Sequence, residues 1–190
     1  MNEIAETGYW NGETAHIHHV HCKELSNWIC EFLNVKISKD ESIRDLACGL
    51  GNYLKDLQEF GFTNLAGFEA DPPRHKVFNN ILKQDLTIPF TFSPKGVVIS
   101  LECGEHISKK YMNEYLDNIT NNCSNYLIMS WAIRGQAGFG HVNCLDNHEM
   151  IPLIESRGFK LMKEETEKVR NINLSEAPWF KNTLLIFKKK

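Results

Sequence analysis

The stretch that decides the fold is Asp45-Leu46-Ala47-Cys48-Gly49-Leu50-Gly51-Asn52-Tyr53. It overlaps a short run at 42–47 that is typical of a buried strand, and it leads into a helical pattern at 53–60. Gly61 follows that pattern at the position of a C-cap glycine. Glycines in such a turn let the backbone reverse sharply and approach a ligand without a Cβ in the way. The stretch therefore predicts a strand, a ligand-binding turn and a helix.

Apolar runs elsewhere in the chain alternate with amphipathic helical patterns. Helices are predicted at 22–33, near 111–119 and at 147–157, where Gly158 provides the cap. Alternation of strands and helices of this length favours a parallel sheet with helices on both faces. Further strands are predicted at 65–69, 97–101, 126–131, 159–162 and 183–187.

Length and composition limit the classes of protein to consider. With 190 residues, of which 42% are hydrophobic and 24% charged, the chain predicts one soluble domain. A net charge of −3 argues against a protein that holds nucleic acid by charge alone. The sequence shows neither an apolar membrane span nor a signal peptide, so we expect a cytoplasmic protein. The six cysteines form no Cys-x-x-Cys pair and are expected to be reduced, buried hydrophobes.

An acidic side chain ends the second predicted strand. Glu69 follows Asp45 by 24 positions (69 − 45) and is placed to accept hydrogen bonds from both hydroxyls of a ribose. A dinucleotide site requires Gly-x-Gly-x-x-Gly, and Leu54 stands at the third glycine position after Gly49 and Gly51. The dinucleotide alternative is therefore disfavoured.

The glycine stretch resembles the first motif of class I S-adenosylmethionine-dependent methyltransferases. The resemblance implies their α/β, Rossmann-like fold, a seven-stranded and mostly parallel sheet with helices on both faces. It implies that the loop wraps the methionine end of the cofactor, that Glu69 takes the ribose hydroxyls, and that Asp85 meets the adenine amino group. Ala47 stands where glycine is usual, and Lys95-Gly96 replaces a common Phe-Asp pair. The implied cofactor-binding residues are Asp45, Ala47, Gly49, Gly51, Asn52, Tyr53, Glu69, Asp85, Leu86 and Leu101.

A group of acids and histidines follows the fourth predicted strand. Glu102, Glu105 and His106 share one helical face if a helix begins near Glu102, and His141 lies on the loop after the fifth strand. Carboxylates with imidazoles suit Mg²⁺ or Mn²⁺, so these four residues are the predicted metal ligands. The pattern resembles the metal site of small-RNA terminal 2'-O-methyltransferases, and its first part is similar to that of ubiquinone-pathway O-methyltransferases. In a metal-free alternative a histidine acts as general base. Catalytic roles are predicted for Glu105, His106 and His141.

The N-terminal segment 1–40 is predicted to be a helical lid over the substrate, with 41–190 as the cofactor-binding core of a single domain, 1–190. In an alternative, its aromatic side chains only pack on the sheet edge. The histidine-rich run at 16–21 is a weaker candidate for a second metal site. Predicted substrate contacts are Tyr9, Trp10, His18, Trp131, Arg134, Gln136 and Asn143.

These features together predict an enzyme that methylates a hydroxyl on a sugar, a glycan or another diol-bearing acceptor. S-adenosylmethionine is the expected cofactor, with Mg²⁺ or Mn²⁺ in the metal-dependent version. The expected partner is a small-molecule or glycan acceptor, and neither nucleic acid nor membrane is expected. The alternatives are a metal-independent methyltransferase of a small metabolite and a non-catalytic module that binds S-adenosylmethionine.

Overall fold

The computed structural model describes residues 4–190, apart from the side chains of Ala15 and His16. The strands are β1 (Ile43–Leu46), β2 (Leu65–Glu69), β3 (Ile81–Lys83), β4 (Gly96–Ser100), β5 (Cys123–Ser130), β6 (Phe159–Leu161) and β7 (Leu184–Lys189). The helices are α1 (Gly12–His18), α2 (Lys23–Lys36), α3 (Asn52–Glu59), α4 (Met112–Asn121), α5 (Asn147–Glu155), α6 (Lys163–Arg170) and α7 (Phe180–Thr183), with a 3-10 turn at Lys109–Tyr111.

The seven strands form one sheet in the order β3-β2-β1-β4-β5-β7-β6. Strand β7 runs antiparallel to β5 and β6, and the other neighbours pair in parallel. This confirms the predicted seven-stranded, mostly parallel sheet. The strand order reverses between β1 and β4, and ligands of such sheets bind outside the carboxyl ends of the strands at that point.

Two hydrophobic cores cover the two faces of the sheet. In β4, Val97 and Ile99 belong to the core beneath α2 and α3, whereas Val98 belongs to the core beneath α4 and α5. This alternation follows from the period of two along a strand. The prediction of helices on both faces is confirmed.

The crossovers from β2 to β3 and from β3 to β4 are loops in the described chain. Helix α1 lies in the segment predicted to be helical, whereas α6, α7 and β3 were not predicted from the sequence. Helix α6 buries only Thr166 and Val169, so its apolar periodicity is too weak to detect. Helix α2 packs in the core through Leu25, Ile29 and Leu33, and it thus forms part of the layer on the sheet.

An aromatic cluster fills the place of a helix in the loop before β4. Phe68, Phe90 and Phe92 contact one another with ring centroids 5.4–6.1 Å apart. Asn118 of α4 holds this loop, because its Oδ1 accepts from the N–H of Phe90 at 3.1 Å and its Nδ2 donates to the carbonyl of Leu86 at 2.7 Å. One buried amide thus satisfies backbone groups that a helix would have satisfied internally.

Replacing Asn118 by alanine is expected to lower the free energy of unfolding by roughly 2–4 kcal/mol, since it leaves several buried backbone groups without partners. Urea denaturation followed by circular dichroism measures the effect. Asn121→Ala is the matched control, because Asn121 is exposed on the same helix. Equal, small losses in both variants would contradict this role for Asn118.

Between residues 4 and 190, the structure contains no helix with the length and apolar character needed to cross a bilayer. All six cysteines are free, and all except Cys144 are buried. The prediction that they act mainly as small buried hydrophobes is therefore confirmed for the five buried ones.

Candidate active site

A cavity of about 290 Å³ opens at the carboxyl ends of β1, β2 and β4. Residues 7–10 and 18–20 of the N-terminal segment cover it, so the part of the predicted lid that reaches the cavity precedes α2. Seven of the predicted cofactor-binding residues line it: Ala47, Gly49, Tyr53, Glu69, Asp85, Leu86 and Leu101.

The glycine loop brings main chain close to the cavity. Gly49 has φ of +53°, and a Cβ at this position would lie 2.4 Å from the ring of His19. Gly51, at the N-cap of α3, has φ of +83°, and a Cβ there would lie 2.7 Å from Phe78. Both positions therefore require glycine, for conformation and for space. Of the predicted cofactor residues, Asp45, Gly51 and Asn52 do not line the cavity.

Two buried carboxyl groups, those of Asp45 in β1 and Glu69 at the end of β2, lie near the glycine loop. Burial, together with the negative charge of Asp45, raises the pKa of Glu69 to about 8, although the N–H of Gly49 donates a hydrogen bond to Glu69. Burial also raises the pKa of Asp45 to about 7. A carboxyl group that burial removes from water is stabilised strongly by a ligand that donates hydrogen bonds to it.

Gly49, Glu69 and Asp85 follow the neighbouring strands β1, β2 and β3 and form a row along one side of the cavity, with Asp85 at its far end. Its Oδ1 accepts from the N–H and the hydroxyl of Thr87 at 2.9 and 2.7 Å. Its Oδ2 accepts from the Thr7 hydroxyl at 3.0 Å, so the N-terminal segment is bound directly to this end of the cavity.

The loops after β4 and β5 meet beside the cavity, as predicted. The carbonyl of Glu105 accepts from the N–H groups of Val142 at 2.9 Å and Asn143 at 3.0 Å. Gly104 makes this approach possible, because a Cβ there would lie 2.1 Å from the ring of Trp131. The junction fixes the position of Glu105 at the edge of the site.

Three of the four predicted metal ligands come together at this junction. Potential ligand atoms of Glu105, His106 and His141 lie within 4.8 Å of one another. Nε2 of His141 is 4.0 Å from Oε1 of Glu105, and the two imidazole centroids are 5.0 Å apart. Neither Oε atom of Glu105 nor Nδ1 of His106 makes a hydrogen bond of ordinary geometry, although all three atoms are buried.

Burial dominates the electrostatics of this cluster. It raises the pKa of Glu105 well above the usual range, and the negative charge of Glu102 acts in the same direction. It lowers the pKa of His106 to about 4, with His141 contributing. Nδ1 of His141 lies 3.2 Å from the carbonyl of Gln136, and donation there leaves the Nε2 lone pair facing Glu105.

Glu102 is oriented differently from the prediction. The segment 102–107 forms turns, and α4 begins only at Met112, so the expected i, i+3, i+4 face is wrong. Glu102 has φ of +47°, and its carboxylate accepts from the Thr183 hydroxyl at 3.1 Å and from Nε2 of Gln136 at 3.0 Å. Its oxygens are thus already engaged, although it lines the cavity.

An aromatic group covers the mouth of the cavity opposite the glycine loop. The rings of His18 and Phe139 stack with centroids 5.1 Å apart, and Trp10 meets His106 edge-on at 4.8 Å. The Trp10 Nε1 group is buried without a hydrogen-bond partner. Of the predicted substrate contacts, Tyr9, Trp10, His18 and Gln136 line the cavity.

Three predicted substrate contacts do not line the cavity. Trp131 is buried, and its Nε1 donates to the Asn143 carbonyl at 2.6 Å. Asn143 is itself buried behind the loop. Arg134 is exposed and pairs with Glu149, with Nη2 2.6 Å from Oε1. We therefore no longer assign these three residues direct contact with a substrate.

The histidine-rich run at 16–21 does not form a second cluster in the part of the chain that the structure describes. The side chain of His16 lies outside the described residues. His18 stacks on Phe139, His19 lies against Gly49, and Nε2 of His21 is 3.0 Å from Oδ2 of Asp56. These side chains point to three different places.

Sequence reasoning missed several residues that line the cavity, namely Thr7, Phe139 and Trp179, whereas it admits His19 as the alternative to His18. The exposed aromatic Phe139 within a glycine-rich loop was the one usable signal among them. The others reach the cavity only through tertiary folding. Among the lining residues there is no lysine or arginine, so carboxylates and histidines dominate its chemistry.

Comparison with solved structures reveals the fold. A magnesium protoporphyrin IX methyltransferase from Synechocystis, with bound S-adenosylhomocysteine, matches with a TM-score of 0.65 and 14% identity over 88% of this chain and 83% of that chain. An S-adenosylmethionine-dependent methyltransferase from Clostridium acetobutylicum matches with a TM-score of 0.66 and 12% identity over 93% and 98%. A sugar N-methyltransferase from Streptoalloteichus matches with a TM-score of 0.64 and 12% identity over 90% and 88%.

No family model matches the sequence, and neither does any curated protein. At these identities the likeness shows the fold alone. The chain has the class I methyltransferase fold, as the glycine stretch predicted.

Proposed function

We propose that this protein transfers a methyl group from S-adenosylmethionine to a hydroxyl of a small-molecule or glycan acceptor. One observation carries the proposal. A single cavity is lined by Gly49, Glu69 and Asp85 along one side and by His106 and His141 at the adjacent edge, where the buried Glu105 lies directly behind the two histidines. Fold likeness raises the expectation of this activity, but the function is argued from the site.

The residues of the first side fit the cofactor. A bound S-adenosylmethionine supplies the methyl group on its sulfonium. The Glu69 carboxylate accepts hydrogen bonds from the ribose hydroxyls, and Asp85 accepts from the adenine amino group. Gly49 has no Cβ, so the methionine portion can approach its main chain beside the His19 ring, which packs against the same glycine. The acidic lining also suits a cationic ligand.

The cluster at the adjacent edge fits a divalent cation. The two oxygens of Glu105 and Nδ1 of His106 are buried without hydrogen-bond partners, and potential ligand atoms of Glu105, His106 and His141 lie close enough to bind one ion. A carboxylate with two imidazoles is a donor set for Mn²⁺ or Mg²⁺, the first with the better match to nitrogen. When bound, such an ion lowers the pKa of the acceptor hydroxyl. Glu105, His106 and His141 are the residues that would hold it.

Little covalent help is needed for the transfer itself. The new C–O bond forms as the C–S bond breaks, and the acceptor proton leaves to a nearby base. In the version without a cation, His141 is placed to accept it, because His141 lines the cavity and donation from Nδ1 to the Gln136 carbonyl leaves the Nε2 lone pair free. The N-terminal segment and Phe139 exclude water and hold the acceptor in line with the methyl group.

The residues that line the cavity also limit the chemical classes of acceptor that fit it. A phosphate group is a poor match for a cavity whose lining residues include no lysine or arginine. Neutral hydroxyl-bearing molecules fit better, and a vicinal diol offers two oxygens to one cation. The sugar N-methyltransferase among the structural neighbours is in keeping with a sugar acceptor.

A screen with methyl-labelled S-adenosylmethionine tests the function. Neutral sugars, glycosides and catechols are offered with chelator, with Mn²⁺ and with Mg²⁺. We expect labelled product from a diol acceptor, loss of turnover with chelator and recovery with metal. Turnover that the chelator does not affect would support methyl transfer but contradict a role for the cation. Failure to bind S-adenosylmethionine would overturn the proposal as a whole.

Trp10→Ala is expected to raise the KM for the acceptor about tenfold and to leave the Kd for S-adenosylmethionine within about twofold, because Trp10 covers His106 on the acceptor side. Steady-state kinetics and calorimetry measure the two quantities. Trp28→Ala is the control, since Trp28 packs against the core remote from the cavity. Parallel losses in KM and Kd for Trp10→Ala would contradict an acceptor-specific role.

A further inference from the structure

His19 lies within the glycine loop, although it comes from the N-terminal segment. Its ring approaches Gly49 so closely that Cδ2 and Nε2 would each lie 2.4 Å from a Cβ at that position. The side chain lines the cavity beside Gly49 and Tyr53. It therefore stands at the end of the cofactor row opposite Asp85, with Glu69 between them.

The other ring nitrogen of His19 has no partner. Nδ1 is buried and makes no hydrogen bond with any described residue. Burial and the nearby His21 lower the pKa of His19 to about 4, so at neutral pH the ring carries one N–H donor and one acceptor. A buried polar atom without a partner costs free energy, and in a ligand site it marks a contact that the ligand completes.

Two main-chain N–H groups of the glycine loop already donate to partners within the protein. The N–H of Gly49 donates to Glu69, and the N–H of Gly51 donates to the carbonyl of Cys48 at 2.9 Å. The Tyr53 hydroxyl accepts from the N–H of Cys22 at 3.4 Å, so its O–H hydrogen stays available as a donor beside His19. The described residues that line the cavity include no lysine or arginine, so an anionic group at this end depends on donors such as His19.

We propose that His19 binds the carboxylate of the methionine moiety of S-adenosylmethionine, and thereby positions the cofactor. The inference rests on the proposed function, because it assumes this cofactor. If Glu69 binds the ribose and Asp85 the adenine, the amino-acid portion of the cofactor lies at the end of the cavity formed by the glycine loop. The imidazole N–H donates to the carboxylate, and such a charge-assisted bond is stronger than a neutral one.

The test compares two ligands that differ only in the carboxylate. S-adenosylmethionine and its decarboxylated form, which keeps the sulfonium, the amine and the nucleoside, are titrated calorimetrically into the full chain. His19→Ala is expected to weaken S-adenosylmethionine by about 10- to 100-fold, the loss of one hydrogen bond to a charged group. The same variant should change the affinity for the decarboxylated form by less than about threefold.

Two further variants sharpen the comparison. His19→Asn retains an amide N–H near the position of Nδ1 and should recover part of the lost affinity for S-adenosylmethionine. His148→Ala removes an exposed histidine of α5 and should change neither affinity. A thermal melt of each variant separates loss of a contact from loss of folding.

The outcomes distinguish the inference from the function. Equal weakening of both ligands by His19→Ala would overturn the carboxylate contact and assign His19 to shaping the glycine loop, while the proposed function stands. Failure of the unaltered protein to bind either ligand would overturn the proposed function and the inference together. If His19→Ala is unfolded, the same comparison made with folded His19→Asn and the unaltered protein decides the result.

Discussion

Replacement of Glu105 by glutamine is expected to lower kcat for methyl transfer by about 10³-fold, within the range of effects seen when a group that moves or stabilises the reacting proton is removed. Glutamine keeps the shape of the side chain but provides neither a negative charge for a cation nor a proton acceptor. The Kd for S-adenosylmethionine should stay within about twofold, because Glu105 lies outside the row formed by Gly49, Glu69 and Asp85. Single-turnover kinetics and calorimetry measure the two quantities.

Glu102→Gln makes the same chemical change three residues earlier in the chain. Its carboxylate is engaged by Thr183 and Gln136, so we expect kcat to fall by less than about tenfold. Electron paramagnetic resonance of Mn²⁺ provides a second readout, in which the unaltered protein and Glu102→Gln bind the ion and Glu105→Gln does not. Equal kinetic losses in the two variants would contradict a specific role for Glu105.

The stability of Glu105→Gln distinguishes a functional effect from a structural one. Burial raises the pKa of Glu105 well above its usual range, so the unliganded protein holds this group in its neutral form. A neutral amide of the same shape should therefore leave the thermal midpoint unchanged or raise it. A large drop in the midpoint would mean that the carboxyl group supports the loop junction instead of the reaction.

The architecture was predictable because its signals are local. A glycine-rich turn between an apolar strand and an amphipathic helix is encoded in the 45–53 stretch, and the unbroken apolar run of Val97, Val98 and Ile99 indicates that β4 belongs to a sheet buried on both faces. Gly61 has φ of +100° after α3 ends, as a C-cap glycine should. Each of these positions is decided by residues a few places apart in sequence.

The details of the site were less predictable because distant contacts decide them. Helical spacing suggested one face for Glu102, Glu105 and His106, yet the left-handed backbone at Glu102 and its bonds to Thr183 break that face. Arg134 is drawn to the surface by Glu149, which lies 15 positions later. His19 reaches Gly49 only because the N-terminal segment folds back over the sheet.

Glu69→Gln is expected to weaken S-adenosylmethionine by about 100-fold, since two ribose hydroxyls lose hydrogen bonds to a charged acceptor. Calorimetry measures this Kd, and Glu59→Gln on the exposed side of α3 is the control. The same substitution should leave the unliganded protein more stable than the unaltered one at pH 8. An affinity within threefold of the original would show that Glu69 does not hold the ribose.

The opposite signs of these two effects have one cause. Burial raises the pKa of Glu69 from 4.5 to about 8, so between those values the folded protein holds a proton that the unfolded chain has released. The contribution of Glu69 to the free energy of unfolding of the unliganded protein must therefore fall as pH rises through this window. Cofactor affinity should rise over the same window, because the ionised carboxylate is the form that accepts from the ribose. Denaturation and calorimetry at pH 5, 6.5 and 8 measure both slopes, and Glu69→Gln should flatten both. A residual slope in stability is expected from Asp45, whose pKa burial raises to about 7.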